Sequence, residues 1–320
     1  MPIPLTPPLL PQLARSRTTL PTGGGWAYEP KWDGFRSIAF VDGDELYLQS
    51  RNGKPLLRYF PELRFPPGRY VLDGEIVIFG EDGRQEFDLL GQRIHPAASR
   101  IARLAEETPA RFVAFDLLAQ DDASLLELPY EQRRGALEPF VAELAARGDG
   151  PELTPSTRDA AEAEPWLHGA EGVVAKELDA PYRPGERVGM VKIKRVRTID
   201  AVVMGWRPGK EEGTVGSLIL GLYDDDGELR VVGHSSGFKA AEKRELVDTL
   251  APYASGERGS ADPSRWRPDH ELEWVALRPE LVVEITFDHV SSGRIRHGTK
   301  VQRWRDDKPP RDCRIEQLDS

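Results

Sequence analysis

The 320-residue sequence predicts an α+β fold in two domains, and three features of it support this. Short β-branched and aromatic runs, bounded by Gly, Asp or Pro, predict strands along most of the chain. Only a few segments have the length and composition of helices. After Arg197 the pattern changes, because several short strand-like runs surround a single helical segment. A domain boundary near residue 197 is therefore predicted.

The first predicted domain covers residues 1–197 and begins with a lead-in rich in Pro, Thr and Gly. Residues 1–25 are expected to be extended, and Asp42–Gly43 is expected to be a hairpin turn. Strands are predicted at 36–41, 46–50, 70–79, 111–118, 172–176 and 188–194. Helices are predicted at 130–147 and 157–168.

The second predicted domain covers residues 198–320. Its strand-like runs are 201–206, 217–223, 229–235 and 281–288, and its helical segment is 240–250. Several short strands with one helix in a segment of this length are typical of a small barrel of the oligonucleotide-binding (OB) type.

Bulk composition restricts the class of protein. A hydrophobic content of 39% with 30% charged residues is ordinary for a globular protein in water. No apolar run approaches the ~20 residues that span a bilayer, and the N-terminus lacks the features of a signal peptide. The single cysteine, Cys313, excludes an internal disulfide framework and a cysteine-based zinc site. A cytoplasmic protein without membrane association is expected.

The charge distribution is more informative than the net charge of −10. Residues 289–314 hold eight Lys/Arg against three Asp/Glu, and residues 192–197 add four cations. A protein that contacts phosphates locally and is acidic elsewhere has this distribution. The alternative for either cluster alone is a solvated basic surface.

The run Lys31-Trp32-Asp33-Gly34-Phe35-Arg36 offers a candidate covalent nucleophile. A lysine attacks only as the neutral amine, so Lys31 requires surroundings that lower its pKa. Burial and nearby cations have that effect. The run needs structural context before it indicates a function.

Three further motifs are ambiguous when each is taken alone. The carboxylates of Asp73-Gly74-Glu75 could bind a ribose hydroxyl or form a surface β-turn. Phe115 could be a core residue or a surface on which a purine ring stacks. Arg51 could bind a phosphate or cap a turn.

Carboxylates and lysines recur near the end of the first domain. Glu171 has the oxygen ligands that Mg²⁺ prefers, and Lys176, five residues later, suits a phosphate. Lys192 and Lys194 alternate along a predicted strand and so share one face. Two ammonium groups on one face repel unless an anion lies between them, which favours a polyphosphate site.

Taken in order, these motifs resemble those of the covalent nucleotidyltransferases, which include DNA ligases, RNA ligases and mRNA capping enzymes. The matching motifs are K-W-D-G-F-R, S-R-N-G, D-G-E, F-D-L, E-G-V-V-A-K, V-K-I-K-R and, near the C-terminus, R-W-R-D-D-K. The linking segments are similar to those of the standalone bacterial ATP-dependent DNA ligase C group, with the ligase domain of ligase D as the near alternative. The resemblance implies an ATP-grasp-like nucleotidyltransferase (adenylation) domain followed by an OB-fold barrel.

The resemblance also implies a role for each matching residue. Lys31 is the expected nucleophile, which forms a lysyl-AMP adduct, and Lys192 with Lys194 is the pair that binds the α-phosphate. Glu171 is the expected metal ligand, with Asp33 as a second candidate. The remaining expected nucleotide contacts are Glu29 (adenine), Phe115 (adenine stacking), Glu75 (ribose), Arg36 and Arg51 (sugar and phosphate), Arg187 (nucleotide), and Arg305, Asp307 and Lys308 (pyrophosphate).

An ATP-dependent DNA ligase is therefore expected, using Mg²⁺ or Mn²⁺ and acting as a monomer on nicked duplex DNA in repair. A repair polymerase or end-joining proteins would have to act in trans. Two alternatives stay open at this point. One is an RNA ligase or a capping-type GTP transferase, which nucleotide and acceptor preference would reveal. The other is a non-catalytic nucleic-acid clamp on the same fold, which would not need Lys31.

Overall fold

The computed structural model describes residues 3–80, 83–148, 150–194, 197–259, 273–287, 289–291, 293–297 and 299–319. The chain divides into two compact units, Met1–Arg195 and Val196–Ser320, which are described separately. Both units combine antiparallel sheets with a smaller number of helices, so the predicted α+β class is confirmed. Within the described residues, no helix is long and apolar enough to cross a membrane.

The first unit contains ten strands and five α-helices among the residues described. The strands are β1 (Arg15–Arg17), β2 (Trp26–Pro30), β3 (Phe35–Gly43), β4 (Glu45–Ser50), β5 (Gly68–Val77), β6 (Arg111–Gln120), β7 (Ala123–Ser124), β8 (Glu152–Leu153), β9 (Val173–Glu177) and β10 (Met190–Ile193). The helices are α1 (Phe87–Arg93), α2 (Ala98–Glu107), α3 (Tyr130–Ala146), α4 (Ala160–Ala163) and α5 (Trp166–Gly169).

Two sheets organise this unit. The larger one has the order β4-β3-β5-β6-β7, with β8 added in parallel to β6. The smaller one has the order β1-β10-β9-β2, in which only the β1–β10 pair is parallel. The parallel pair joins the N-terminal lead-in to the strand that carries Lys192, so residues far apart in sequence become neighbours.

Side-chain alternation along the central strands separates core from polar positions. On β5, Leu72 and Ile76 point into a core with α1 and α3, while Val71 belongs to a second apolar cluster on the opposite face. Asp73 and Glu75 share the face of Val71. Because both faces of the larger sheet are covered, a polar residue on β5 is held among packed neighbours and not at a loose turn.

The second unit consists largely of one antiparallel sheet with a single α-helix among the residues described. Its strands are β11 (Arg197–Pro208), β12 (Val215–Tyr223), β13 (Leu229–Ser235), β14 (Ala254–Gly259), β15 (Trp274–Leu277), β16 (Val282–Phe287), β17 (His289–Ser291), β18 (Arg294–His297) and β19 (Lys300–Trp304). Helix α6 is Ala240–Leu250, as predicted. Strand β11 is the central strand of this sheet, because it pairs with β12, β15 and β16.

Some predicted elements differ from the observed ones. The helix predicted at 157–168 is two short helices, α4 and α5, because Pro165 has no N–H to donate to the carbonyl of Ala161 and so interrupts the helical hydrogen bonds. The structure also contains elements that were not predicted, namely helices α1 and α2 and strands β1, β2, β7, β8, β14, β15, β17, β18 and β19. Residues 195 and 196 of the basic run 192–197, and residues 292 and 298 of the basic segment 289–314, lie outside the described residues.

Candidate active site

A cavity of about 610 Å³ opens between the two sheets of the first unit. The two sheets contribute opposite walls, and the N-terminal lead-in contributes Gln12, Leu13 and Ala14. The residues predicted for the site that line it are Glu29, Lys31, Asp33, Arg36, Arg51, Glu75, Phe115, Glu171, Arg187, Lys192 and Lys194. Every predicted site residue of this unit therefore lies around one space.

Lys31 follows β2 and is fixed by the backbone of the motif that contains Glu171. Its N–H donates to the carbonyl of Gly172 at 2.9 Å. The next residue, Trp32, donates from Nε1 to Thr154 Oγ1 at 2.9 Å, and the N–H of Asp33 donates to Gln85 Oε1 at 2.6 Å. The nucleophile candidate therefore lies on a segment whose own polar groups are satisfied.

Gly34 and Gly172, two glycines of the motifs, allow neighbouring backbone segments to lie close together around Lys31. A Cβ at Gly34 would lie 2.2 Å from the carbonyl oxygen of Ile76, and one at Gly172 would lie 2.1 Å from that of Ile193. Gly172 also has a φ of +139°, a conformation that side-chain-bearing residues rarely adopt. Steric exclusion explains why glycine occupies these two motif positions.

The Lys31 amine contacts the Glu171 carboxylate, whose other oxygen pairs with Lys194 at 2.6 Å. The Lys31 side chain is 19% exposed and that of Glu171 is 14% exposed. Opposite charges therefore meet in a poorly hydrated space, where electrostatic interactions are stronger than on the surface.

The surroundings lower the pKa of Lys31 from 10.5 to about 8. Burial of the amine is the largest cause, because desolvation penalises the charged form. The ammonium groups of Lys194 and Lys192 lower this pKa further, while the carboxylates of Glu75 and Asp33 raise it. The net effect favours the nucleophilic form of the amine.

The floor of the cavity is one face of the smaller sheet. Lys192 on β10 is opposite Val174 on β9, which in turn is opposite Glu29 on β2. The predicted shared face of Lys192 and Lys194 agrees with their position, since both line the cavity. The cations thus lie at the Lys31 end, and Glu29 lies two strands away.

The opposite wall comes from β3, β5 and β6. Arg36 and Glu75 are register partners on β3 and β5. Burial raises the pKa of Glu75 to about 7, although the cations of Arg36 and Lys31 oppose this shift. Asp73 and Gly74 are fully buried within β5, so the surface-turn alternative for D-G-E is wrong.

Phe115 occupies a bulge in β6. Asp73 pairs with Asp116 and Gly74 pairs with Ala114, which leaves Phe115 without a register partner. Such bulges redirect side chains and are common beside active sites. The Phe115 ring lines the cavity, and the Arg36 guanidinium lies 4.4 Å from its centroid.

Arg36 is fixed in place by hydrogen bonds to a neighbouring carboxylate. Its guanidinium forms a bidentate pair with Asp73 at 2.7 Å for each bond, and Tyr182 Oη donates to the same carboxylate at 2.7 Å. Burial alone would lower the pKa of Arg36, but the Asp73 carboxylate raises it above its usual value. The Gln12 N–H donates to Tyr182 Oη at 3.0 Å, which ties the N-terminal lead-in to this network.

Glu29, at the deep end of the floor, is 3% exposed. Tyr130 donates from Oη to its Oε1 at 2.5 Å, and Lys176 pairs with its Oε2 at 2.9 Å. Lys176 also donates to the carbonyl of Phe115 at 2.9 Å. The phosphate-binding interpretation of Lys176 is therefore wrong, because this ammonium group is committed to the floor of the cavity.

Two family models match the chain. One, described as ATP dependent DNA ligase domain, covers residues 8–194, and the other, ATP dependent DNA ligase C terminal region, covers residues 211–308. The first spans more than half of the chain and includes every residue that lines the cavity. The chain belongs to the ATP-dependent DNA ligase family.

Similar proteins agree with this assignment. DNA ligase C1 of Mycolicibacterium smegmatis is 45% identical over 100% of this chain and 96% of its own length. DNA ligase C of Mycobacterium tuberculosis is 44% identical over the same shares. The multifunctional non-homologous end joining DNA repair protein LigD of M. tuberculosis is 33% identical over 89% of this chain and 36% of its own length. The predicted resemblance to the bacterial ligase C group is confirmed.

Solved structures support the fold. The ligase domain of M. tuberculosis LigD has 29% identity and a TM-score of 0.53, and covers 95% of this chain and 97% of its own. A mycobacterial DNA ligase D complexed with ATP and MES has 30% identity and a TM-score of 0.54 over the same shares. The predicted class of this ligase, a nucleotidyltransferase domain followed by an OB-fold, is confirmed.

The remaining predicted site residues lie in the second unit of the ligase. Arg305 pairs with Asp200 at 2.8 Å, with Glu284 at 3.4 Å and with Asp307 at 2.8 Å. The hydrogen bond from Arg305 is the main cause of a pKa of Asp307 lowered to about 2. Arg305, Asp307 and Lys308 line a depression of about 240 Å³ in this unit.

The ligase cavity suits a hard divalent cation. Glu171 and Asp33 both line it with carboxylate oxygens, which Mg²⁺ prefers. Within the described part of the chain, no group of three or more His, Cys, Asp or Glu forms a metal cage. Mg²⁺ is usually held by one or two carboxylates together with substrate phosphates, so the residues present fit that mode.

Sequence reasoning missed several residues that shape the site of this ligase. Gln12 contacts Arg36, while Tyr130 and Arg134 contact Glu29. Tyr182 supports Arg36 through Asp73. Trp32 lies within a motif, but its bond to Thr154 could not be foreseen. The sequence carries no local signal for these contacts, since each depends on how the two sheets meet.

Proposed function

We propose that this ligase seals 5′-phosphate/3′-hydroxyl nicks in duplex DNA through an AMP adduct on Lys31. One observation carries the proposal: a largely buried amine with a lowered pKa lies in a cavity that is also lined by Lys192, Lys194 and several carboxylates. Phosphoryl transfer depends mainly on positioning and charge neutralisation, and this arrangement supplies both.

In the first step the neutral Lys31 amine attacks the α-phosphorus of ATP. The N–P bond forms, the bond from the α-phosphorus to the bridging oxygen breaks, and pyrophosphate leaves with that electron pair. The amine loses a proton, for which the contacting Glu171 carboxylate is the nearest acceptor. Lys192 and Lys194 stabilise the charge that develops on the α-phosphate oxygens.

The rest of the cavity binds the nucleoside. Glu29 accepts from the base, Phe115 stacks against it, and Glu75 accepts from a ribose hydroxyl. Arg36 and Arg51 contact sugar and phosphate, and both line the cavity. A metal ion held by Glu171 and Asp33 offsets triphosphate charge when bound. The pyrophosphate-orienting roles of Arg305, Asp307 and Lys308 stay predictions.

The later steps transfer and release AMP. A 5′-phosphate oxygen at the nick attacks the adenylyl phosphorus, the N–P bond breaks, and the Lys31 amine regains a proton. The 3′-hydroxyl then attacks the activated 5′-phosphorus, and AMP leaves as the strand is sealed. Lys31 is required for the first two steps and not for the third. We propose that the enzyme acts as a monomer, with repair polymerase or end-joining proteins supplied in trans.

Labelled nucleotides test the proposal. The protein is incubated with α-labelled ATP or GTP and a divalent metal, and then with nicked DNA or nicked RNA of the same sequence. Label from ATP that is retained on protein and released only by nicked DNA supports an ATP-dependent DNA ligase. Retention of label from GTP alone contradicts ATP dependence, and discharge on RNA alone identifies an RNA ligase instead.

A further inference from the structure

The Glu29 carboxylate is surrounded by three cationic or hydroxyl donors from two different elements. Lys176 reaches it from β9, where it is opposite Ala27 and therefore diagonal to Glu29 on the same face. Tyr130 and Arg134 reach it from α3, one helical turn apart. The Arg134 Nη1 atom lies 3.6 Å from Glu29 Oε1.

Each donor is fixed by other contacts. Tyr130 is 1% exposed, and burial together with the Glu29 charge raises its pKa well above the usual value, so the hydroxyl stays protonated and donates. Arg134 is anchored by bonds to Glu138 at 2.8 Å and to the Thr154 carbonyl at 2.9 Å. Its Nη1 is buried and forms no hydrogen bond within the described residues, so its charge acts on Glu29 through space.

We infer that Tyr130 and Arg134 are positioning residues that hold Glu29 as an acceptor-only carboxylate and thereby select a 6-amino purine over a 6-oxo purine. This inference rests on the proposed function, because it concerns the base of the nucleotide that Lys31 attacks. It assigns a specificity role to two residues of α3 that do not line the cavity.

The selectivity follows from hydrogen-bond polarity. An ionised carboxylate accepts and does not donate, and it has acceptor sites beyond the two used by Tyr130 and Lys176. Adenine offers an amino donor at position 6, whereas hypoxanthine and guanine offer a carbonyl oxygen there. A carbonyl facing the carboxylate would leave two buried acceptors without a donor, which is strongly unfavourable.

The contacts of α3 with the rest of the unit do not depend on Glu29. Arg133 on the same helix forms a buried bidentate pair with Asp116 at 2.8 and 3.0 Å. Leu137, Val141 and Leu144 pack into the core of the larger sheet. Helix α3 is therefore attached by contacts other than the Tyr130 hydroxyl, whose hydrogen bond goes to Glu29.

The test compares ATP with inosine triphosphate (ITP) in adduct formation by the full-length protein. Tyr130→Phe removes one hydroxyl, and Tyr70→Phe is the matched control, because Tyr70 is also 1% exposed and donates one hydrogen bond, to the Pro66 carbonyl at 2.7 Å. Tyr130→Phe is expected to lower the ATP:ITP ratio of kcat/KM about tenfold, mainly through loss with ATP. Tyr70→Phe is expected to leave the ratio unchanged.

A second variant, Arg134→Gln, and a measurement of nucleotide binding cover the cases in which Tyr130→Phe does not fold or no adduct forms. Arg134→Gln is expected to lower the ratio about threefold; it replaces Tyr130→Phe if the latter does not fold, as judged by thermal melting. An unchanged ATP:ITP ratio in the folded variants overturns the inference. If the wild type forms no adduct with ATP, the proposed function fails, and the inference is then judged by equilibrium binding of AMP against IMP, where loss of AMP preference in Tyr130→Phe supports it and equal preference overturns it.

Discussion

The Lys31 cavity and the Arg305 cluster (Arg305 with Asp200, Glu284 and Asp307) contain the same types of charged residue. They shift the pKa values of these residues in opposite directions. In the cavity, burial moves the pKa of Lys31 down to about 8 and that of Glu75 up to about 7, towards the neutral forms. In the Arg305 cluster, the hydrogen bond between Arg305 and Asp307 raises the pKa of Arg305 and lowers that of Asp307 to about 2, which favours the charged forms.

The direction of the pKa shift distinguishes groups that can take part in a reaction from groups that bind a ligand or stabilise the fold. A nucleophile or proton acceptor must change protonation near neutral pH, and burial among mixed charges achieves this. Groups locked in their charged forms do not exchange protons in that range, and they suit phosphate contacts or surface ion pairs. Both regions carry family motifs, yet only the first has the electrostatics of a reacting centre.

The largest expected effect is that of Lys31→Ala. This variant should form no AMP adduct, and sealing of nicks with ATP should fall about a thousandfold or more, because the amine proposed to attack ATP is removed. Gel assays of label transfer and nick closure measure both. As a control, sealing of a nick that is already adenylated should stay within about tenfold of wild type. Wild-type sealing with ATP by Lys31→Ala would show that the mechanism is not covalent through this residue.

Lys192→Met and Lys194→Met should each slow adduct formation about a hundredfold, through loss of phosphate stabilisation. Both cations also lower the pKa of Lys31, so the midpoint of the pH–rate profile should move upward from about 8. Single-turnover rates at several pH values measure the two effects together. Lys210→Met, at an exposed position in the second unit, serves as the control and should change neither. A slower rate with an unmoved midpoint would contradict the electrostatic coupling.

The pH dependence of adduct formation by the wild-type protein tests whether the cavity lowers the pKa of Lys31. Because the pKa of Lys31 is lowered to about 8, the amine is mostly protonated at pH 7 and mostly neutral above pH 8. The rate should therefore rise nearly tenfold per pH unit below about 8 and level off above it. A midpoint near the ordinary lysine value would mean that the cavity does not desolvate the amine.

The smallest expected effect is on stability in the Arg305 cluster. Arg305→Ala removes ion pairs that water still reaches, since the side chains of Arg305, Glu284 and Asp307 are 17%, 24% and 70% exposed, so its melting temperature should fall only modestly. Arg133→Ala is the buried counterpart, since the side chains of Arg133 and Asp116 are 3% and 4% exposed. It should cost about 3–5 kcal/mol, because it leaves the Asp116 charge buried without its partner. Similar melting of the two variants would contradict the distinction between the regions.

The sequence was most informative where a function depends on short motifs and strand alternation. The alternation of Lys192 and Lys194 and the strand around Glu75 could be predicted, because period-two geometry is local. The bulge at Phe115 could not be predicted, since it depends on the pairing of β5 with β6. The role of Lys176 was misread, because its partner Glu29 is on another strand.

Two helices between residues 87 and 107 were also missed. Helix α1 contains Gly91 and is followed by Pro96, which both disfavour a helix locally. Helix α2 was missed although its sequence carries a helical signal, since it consists mostly of good helix formers and buries Ile101, Leu104 and Ala105 on one face. Strand β1 forms only because β10 offers an edge more than 170 residues later. Tyr130 and Tyr182 reach the site across separations of 101 and 109 residues. Such contacts are products of tertiary packing, which single-sequence patterns do not encode.

Mass spectrometry of the protein after incubation with ATP and Mg²⁺ tests the central claim most directly. The account predicts one added AMP per chain, carried by the peptide that contains Lys31 and lost on incubation with nicked DNA. An adduct on any other residue, or nick sealing with ATP by a protein that never carries AMP, would contradict it.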